Sequence, residues 1–164
     1  THVVAFASDQ GLTSTMAGNL FALMGLFGLF GVLATGFLTD RYGPVLPTLV
    51  CFAVRIVVFT LVMLMPTQMT IILFTLCYGI TFWITAPLTV VFVQHYFGRA
   101  DLGVLSGIII MTHQAAGGAG AYLGGAVYDA FGDYHHVFVW MVVLSVVAFW
   151  FTWQIRRKET IVTL

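Results

Sequence analysis

The sequence predicts an all-α protein, a polytopic membrane helix bundle, and three observations carry that prediction. Hydrophobic residues make up 60% of the chain and charged ones only 7%, whereas a soluble domain carries about a quarter charged residues because its surface faces water. Mean hydropathy is +1.03. The few charges are also spaced: no Asp, Glu, Lys or Arg occurs between Asp9 and Asp40, Arg55 and Arg99, Asp101 and Asp129, or Asp133 and Arg156. Each gap holds at least one stretch of about 20 residues, the length a helix needs to cross a hydrocarbon core about 30 Å thick. The lipid bilayer is therefore the first partner the chain implies.

Thr1 to Ala7 reads as the last turns of a span that starts upstream, and with no initiator Met the chain reads as a fragment. Ser8 to Gly11 reads as a loop, Thr13 or Ser14 offers an N-cap, and 16–38 is the first complete span. Its glycines, Gly18, Gly25, Gly28, Gly31 and Gly36, predict a face that another helix approaches closely. Asp40-Arg41 then mark a turn, and Pro44 and Pro47 bracket re-entry into a second span, 45–65. The third span, 70–96, contains Pro87, which lacks an amide donor and clashes with the preceding turn, so a kink or break is expected near Trp83-Ile84. After the turn 98–101, the fourth span, 102–127, is dense in small residues, with Gly120 and Gly124 at small-xxx-small spacing. Asp129 to His136 reads as a polar loop, and the fifth span, 137–155, ends at Arg156-Arg157-Lys158.

Five crossings place Arg41, Arg99 and Arg156 to Lys158 on one side, while the loops around Asp9, Pro66 and Asp133 carry no Lys or Arg. The positive-inside rule makes the first side the cytoplasm and puts the C-terminus there, as expected of an integral protein of a plasma or bacterial cytoplasmic membrane. Formal net charge is zero and the one basic run is the short one at 156–158, which argues against nucleic acid as a partner. Cys51 and Cys77 both lie inside apolar runs, where a thiol acts as a small hydrophobe. No phosphate-binding glycine loop follows a strand, no Ser/His/Asp set is interpretable and no metal motif has proper spacing. An enzyme is not expected, nor is a cofactor.

Gly36-Phe-Leu-Thr-Asp40-Arg-Tyr-Gly43 closes the first complete span, and Gly125-Ala-Val-Tyr-Asp129-Ala-Phe-Gly132 closes the fourth. Both read Gly-x-x-x-Asp-x-aromatic-Gly, three spans apart on opposite faces, the relation an inverted three-helix repeat produces. The first copy resembles the signature loop of the major facilitator superfamily, Gly-x-Leu-x-Asp-Arg-x-Gly-Arg-Arg/Lys. Gly36, Leu38, Asp40, Arg41 and Gly43 match, while Pro44 and Val45 replace the basic pair. The stretch from Gly107 to Gly132, with His113-Gln114 and Tyr128-Asp129-Ala-Phe-Gly132, is similar to the eleventh helix of members near the monocarboxylate and oxalate/formate transporter branch. The resemblance implies a major facilitator type half, with residues 1–164 as its C-terminal transmembrane half-domain, from the tail of helix seven to helix twelve. It also implies an N-terminal six-helix half elsewhere in the same transporter. Asp40 would interact with a helix end of that half and Arg41 would join the same charge network, forming a cytoplasmic gate.

Within the spans, Arg55 needs a partner, because an unpaired guanidinium in hydrocarbon costs at least about 2.5 kcal/mol. Either it binds a small organic anion through its planar fork, or it is a structural residue paired with an acid from a missing half or snorkelling toward the cytoplasm. His113 is the clear titratable candidate for proton coupling, as in a symporter; the alternative is a histidine bonded to a neighbouring helix. Gln114, Asn19, Tyr78, Trp83, Thr85 and Tyr122 are polar or amphipathic groups that either line a cavity or pack. Gln94-His95-Tyr96 reads as interfacial, and His135-His136 as solvated. The functional expectation is a secondary transporter moving a small organic solute, a carboxylate anion, by alternating access. The alternative is a stand-alone membrane scaffold or assembly subunit.

Overall fold

The computed structural model describes residues 2–162, with side chains through Arg156, as seven helices and, among those residues, no strand. They are α1 (Val3–Asp9), α2 (Ser14–Tyr42), α3 (Val45–Leu64), α4 (Gln68–Phe82), α5 (Thr85–Phe97), α6 (Leu102–Phe131) and α7 (His135–Val162). Thr1 lies outside the described residues, as do the side chains of Arg157 and Lys158. Five segments are long and apolar enough to cross a membrane: α2, α3, α4 with α5 as one interrupted span, α6, and α7 as far as Arg156. The chain is an integral membrane helix bundle.

Local chemistry explains the boundaries. Thr13 caps α2 by accepting from the Met16 amide (3.3 Å), and Thr67 and Thr70 form a reciprocal capping box at the start of α4. Three helices end on a glycine with positive φ: Gly43 (74°), Gly98 (77°) and Gly132 (77°), whose amides bond back to Thr39, Gln94 and Tyr128. These caps correct two expected boundaries. Asp40 and Arg41 lie in the last turn of α2 rather than in a turn beyond it, and Asp129 lies inside α6 rather than in a loop. The pattern is the same in both copies of the repeated octapeptide: the leading glycine, Gly36 or Gly125, stays within the helix, and the chain reverses at the final glycine, where φ is positive. The expected interruption at Trp83-Ile84 is present, separating α4 from α5.

α3 packs chiefly on α7, α2 on α4, and α3 also on α4. The main core gathers at the end of the bundle where α1 stops and α7 starts. There Phe6, Leu20, Phe59, Phe74 and Phe138 are buried together with Ile71 and Tyr134. Its rings interlock: Phe6 meets Phe138 edge-on at 4.9 Å, and Phe74 stacks on Tyr78 at 5.5 Å. Toward the opposite end a second, smaller cluster holds Cys51, Ile84 and Leu88. Both cysteines are free, Cys51 buried and Cys77 half-buried.

The glycine face of α2 is narrower than expected. Gly28 and Gly31 are buried against α4, where a β-carbon on Gly31 would stand 1.9 Å from the Ile80 carbonyl oxygen. Gly18, Gly25 and Gly36 have open space beside them. The close crossing uses about two turns of α2, from Met24 to Gly31, and the missing side chain of Gly79 lets the Met24 backbone approach.

Candidate functional site

The charge in mid-span finds its partners within the chain. Arg55, half-buried on α3, donates through Nη2 to the Thr81 carbonyl and through Nε to Thr81 Oγ1 (3.3 Å). Its guanidinium also lies over the rings of Phe52 (5.7 Å) and Tyr78 (5.6 Å). Thr81 sits in the last turn of α4, whose final carbonyls lack intrahelical donors because the helix stops at Phe82. A cation there also meets the negative end of the helix dipole. Of the expected site residues, Arg55 and Tyr78 are thus brought together at the α4–α5 interruption, and Thr85 opens α5. Trp83 stands in the interruption, 55% exposed, with its indole edge toward Gly28. An apolar cavity of about 220 Å³ lies alongside, bounded by Gly31, Cys51, Ile80, Thr81 and Ile84.

The other candidates stand apart. Residues 107–120 of α6 are exposed throughout, and His113 and Gln114 lie among them, their side chains 3.4 Å apart. Tyr122 on the same helix is 77% exposed. Asn19 is exposed near the start of α2. In the signature octapeptide, Gly36 and Asp40 are exposed, Leu38 and Gly43 are half-buried, and the Arg41 guanidinium lies over the Tyr42 ring (5.5 Å). The Asp40 carboxylate therefore sits at the C-terminal end of α2, where the helix dipole disfavours an anion.

One cluster escaped the sequence reading. His2 Nε2 donates to the Ala121 carbonyl on α6 (2.8 Å), which can only accept, so Nδ1 is left to accept from the Tyr134 hydroxyl (3.3 Å). The imidazole fits against Gly124, where a β-carbon would come within 3.1 Å of it. Tyr134 stacks on Tyr128 at 4.7 Å, with Asp9 nearby. Burial, reinforced by the Asp9 charge, pushes the Tyr134 hydroxyl pKa above the ordinary tyrosine value. The cluster ties α1 to α6 and to the start of α7. The signal available in the sequence was the small residue at Gly124, which leaves room for a ring. On the same side, Asp133 accepts from the His135 amide (3.0 Å), and the His136 ring packs on Phe131 (4.4 Å). Among the described residues, no group of three or more His, Cys, Asp or Glu side chains is arranged to hold a metal ion.

Residues 2–163 match the family described as Major Facilitator Superfamily. The chain belongs to the major facilitator superfamily. It is 25% identical over 158 residues to "MFS transporter asaE" of Aspergillus flavus, a match covering 94% of this chain and 36% of that protein. The chain thus spans about a third of the length of that relative. No solved structure matches it.

Proposed function

We propose that the chain is the C-terminal half of a secondary transporter that moves a small organic solute, a carboxylate anion, by alternating access. The observation that carries this reading is the uncovered face of α6. Residues 107–120 have no cover among the described residues, yet they include His113 and Gln114 and a run of small residues suited to a close helix partner. A polar pair in mid-span, left open on a small-residue helix, fits a water-filled path between two halves. The half opposite would be the N-terminal six-helix half. His113 would take up and release the coupling proton, with Gln114, Asn19 and Trp83 as further lining. The basic residues at Arg41, Arg99 and Arg156 support a cytoplasmic C-terminus in a plasma or bacterial cytoplasmic membrane. The similarity of Gly107–Gly132 to the monocarboxylate and oxalate/formate branch supports the carboxylate assignment.

The test is uptake by the full-length transporter in proteoliposomes, using labelled mono- and dicarboxylates with and without an imposed pH gradient. Saturable uptake stimulated by an inward proton gradient is expected, and His113→Gln should remove the stimulation. Uptake indifferent to the gradient in the parent protein would remove the coupling role, and no uptake of any carboxylate would remove the substrate class.

Asp40 supports the gate. Exposed at the unfavourable end of α2, its carboxylate is open to a partner beyond that helix, which the resemblance supplies as a helix end of the other half. Asp40→Asn is expected to lower the maximal rate about tenfold with KM little changed, the pattern of impaired switching rather than impaired binding. Normal transport in both directions by that variant would sink the gate.

A further inference from the structure

We propose that Arg55 is a positioning residue. By occupying the Thr81 carbonyl it holds the third span in its interrupted form and so sets the angle between α4 and α5. The transport arm of the test rests on the transporter reading; the structural arm does not.

In an uninterrupted helix the Thr81 carbonyl accepts from the amide four residues on, that of Thr85. Here it accepts from Arg55 and, at 3.7 Å, from the Cys51 thiol. Pro87 removes the amide that would have reached the Trp83 carbonyl, which weakens the continuous form without forbidding it. The backbone at the joint has barely departed from helix: Trp83 has φ −88° and ψ −12°, and Ile84 has φ −70° and ψ −21°. Helical ψ lies near −42°, so a rotation of about 20–30° at two residues separates the two forms. That is a small motion with two alternative donors for one acceptor. The surroundings have room for it, because the apolar cavity of about 220 Å³ borders Thr81 and Ile84. The remaining side of α4 is fixed, since the Gly31–Ile80 and Gly79–Met24 approaches leave no slack there. Bending is therefore confined to the segment beyond Thr81. The second donor, Nε to Thr81 Oγ1, and the flanking rings of Phe52 and Tyr78 aim the guanidinium at this acceptor rather than at an open path.

The experiment uses the full-length transporter in nanodiscs, with Cys51 and Cys77 replaced by alanine as a common background. Spin labels are placed at Met69 and Phe97, both largely exposed and near the two ends of the interrupted span. A continuous helix would separate these positions by about 42 Å along its axis. Arg55→Met is expected to broaden the measured distance distribution and move it toward that limit, while Arg55→Lys, whose ammonium still donates to a carbonyl, stays near the parent. In transport, Arg55→Met should lower the maximal rate about tenfold with KM within about twofold, and Arg55→Lys should recover most of the rate. Distances in Arg55→Met that superimpose on the parent overturn the proposal. So does Arg55→Lys behaving like Arg55→Met, or a raised KM in both at unchanged distances, which would assign the fork to substrate instead. If Arg55→Met does not fold, Arg55→Leu, which also lacks a donor, is read in its place. A parent protein that shows the expected distances but moves no solute would remove the transporter reading and leave the joint standing.

Discussion

Gly31→Leu is expected to unseat α4 from α2 and leave little folded protein in the membrane. Even the first carbon of the new side chain would stand 1.9 Å from the Ile80 carbonyl oxygen and 2.8 Å from its carbon. Both are backbone atoms, so no rotamer change relieves the clash, and the helices must separate by more than an ångström. That separation would also loosen the Gly79–Met24 approach, where the nearest atoms are again backbone. Overpacking a tight contact costs on the order of 3 kcal/mol, and the remaining carbons of leucine add to it. Thermal unfolding followed by size-exclusion chromatography in detergent reads the effect directly. Gly25→Leu, six residues earlier and facing open space, is the control and should behave like the parent. Equal stability of the two variants would show that the crossing does not depend on this contact.

The second large effect is expected on the other side of the bundle. Gly117 and Gly118 are exposed, and a β-carbon at either would meet nothing within 4 Å among the described residues, so a larger side chain there starts clear of them. If the other half packs or slides against α6, as proposed, Gly117→Trp should reduce uptake by the full-length transporter at least about fivefold, since overpacking an interface by about 1–3 kcal/mol corresponds to roughly a 5- to 160-fold change. Leu144→Trp, on an exposed part of α7, should leave uptake near the parent value. Retention of full uptake by Gly117→Trp would show that this part of α6 faces lipid, and the α6 path would fall with it.

The number and order of the spans were legible because lipid imposes a simple rule: charges are excluded over about 20 residues at a time. The interruption at Trp83-Ile84 was legible for a covalent reason, the missing donor of Pro87. What could not be read was rotation. α2 is apolar on every side, so it carries no polar face to set its phase, and five glycines looked equivalent although only Gly28 and Gly31 meet α4. The partner of Arg55 was hidden for a different reason. It is a main-chain carbonyl, and no residue type announces one; the proline six residues beyond Thr81 was the available hint. The helix ends were placed too early at Leu38 and Val127 because charge was taken as the boundary. Lipid-spanning helices can carry their charged residues in the final turn, and the glycine that follows decides where the helix stops.

The two core clusters differ in kind as well as in place. Among the described residues, an aromatic-rich cluster of twelve buried residues interlocks at the end where α7 begins, while a cluster of three lies toward the other end. Resistance to local opening follows the density of such contacts. The bundle is therefore graded in stiffness, like a fork gripped at its base: helices clamped by Phe6, Phe59, Phe74 and Phe138 must move together at that end, and their far tips can part at lower cost.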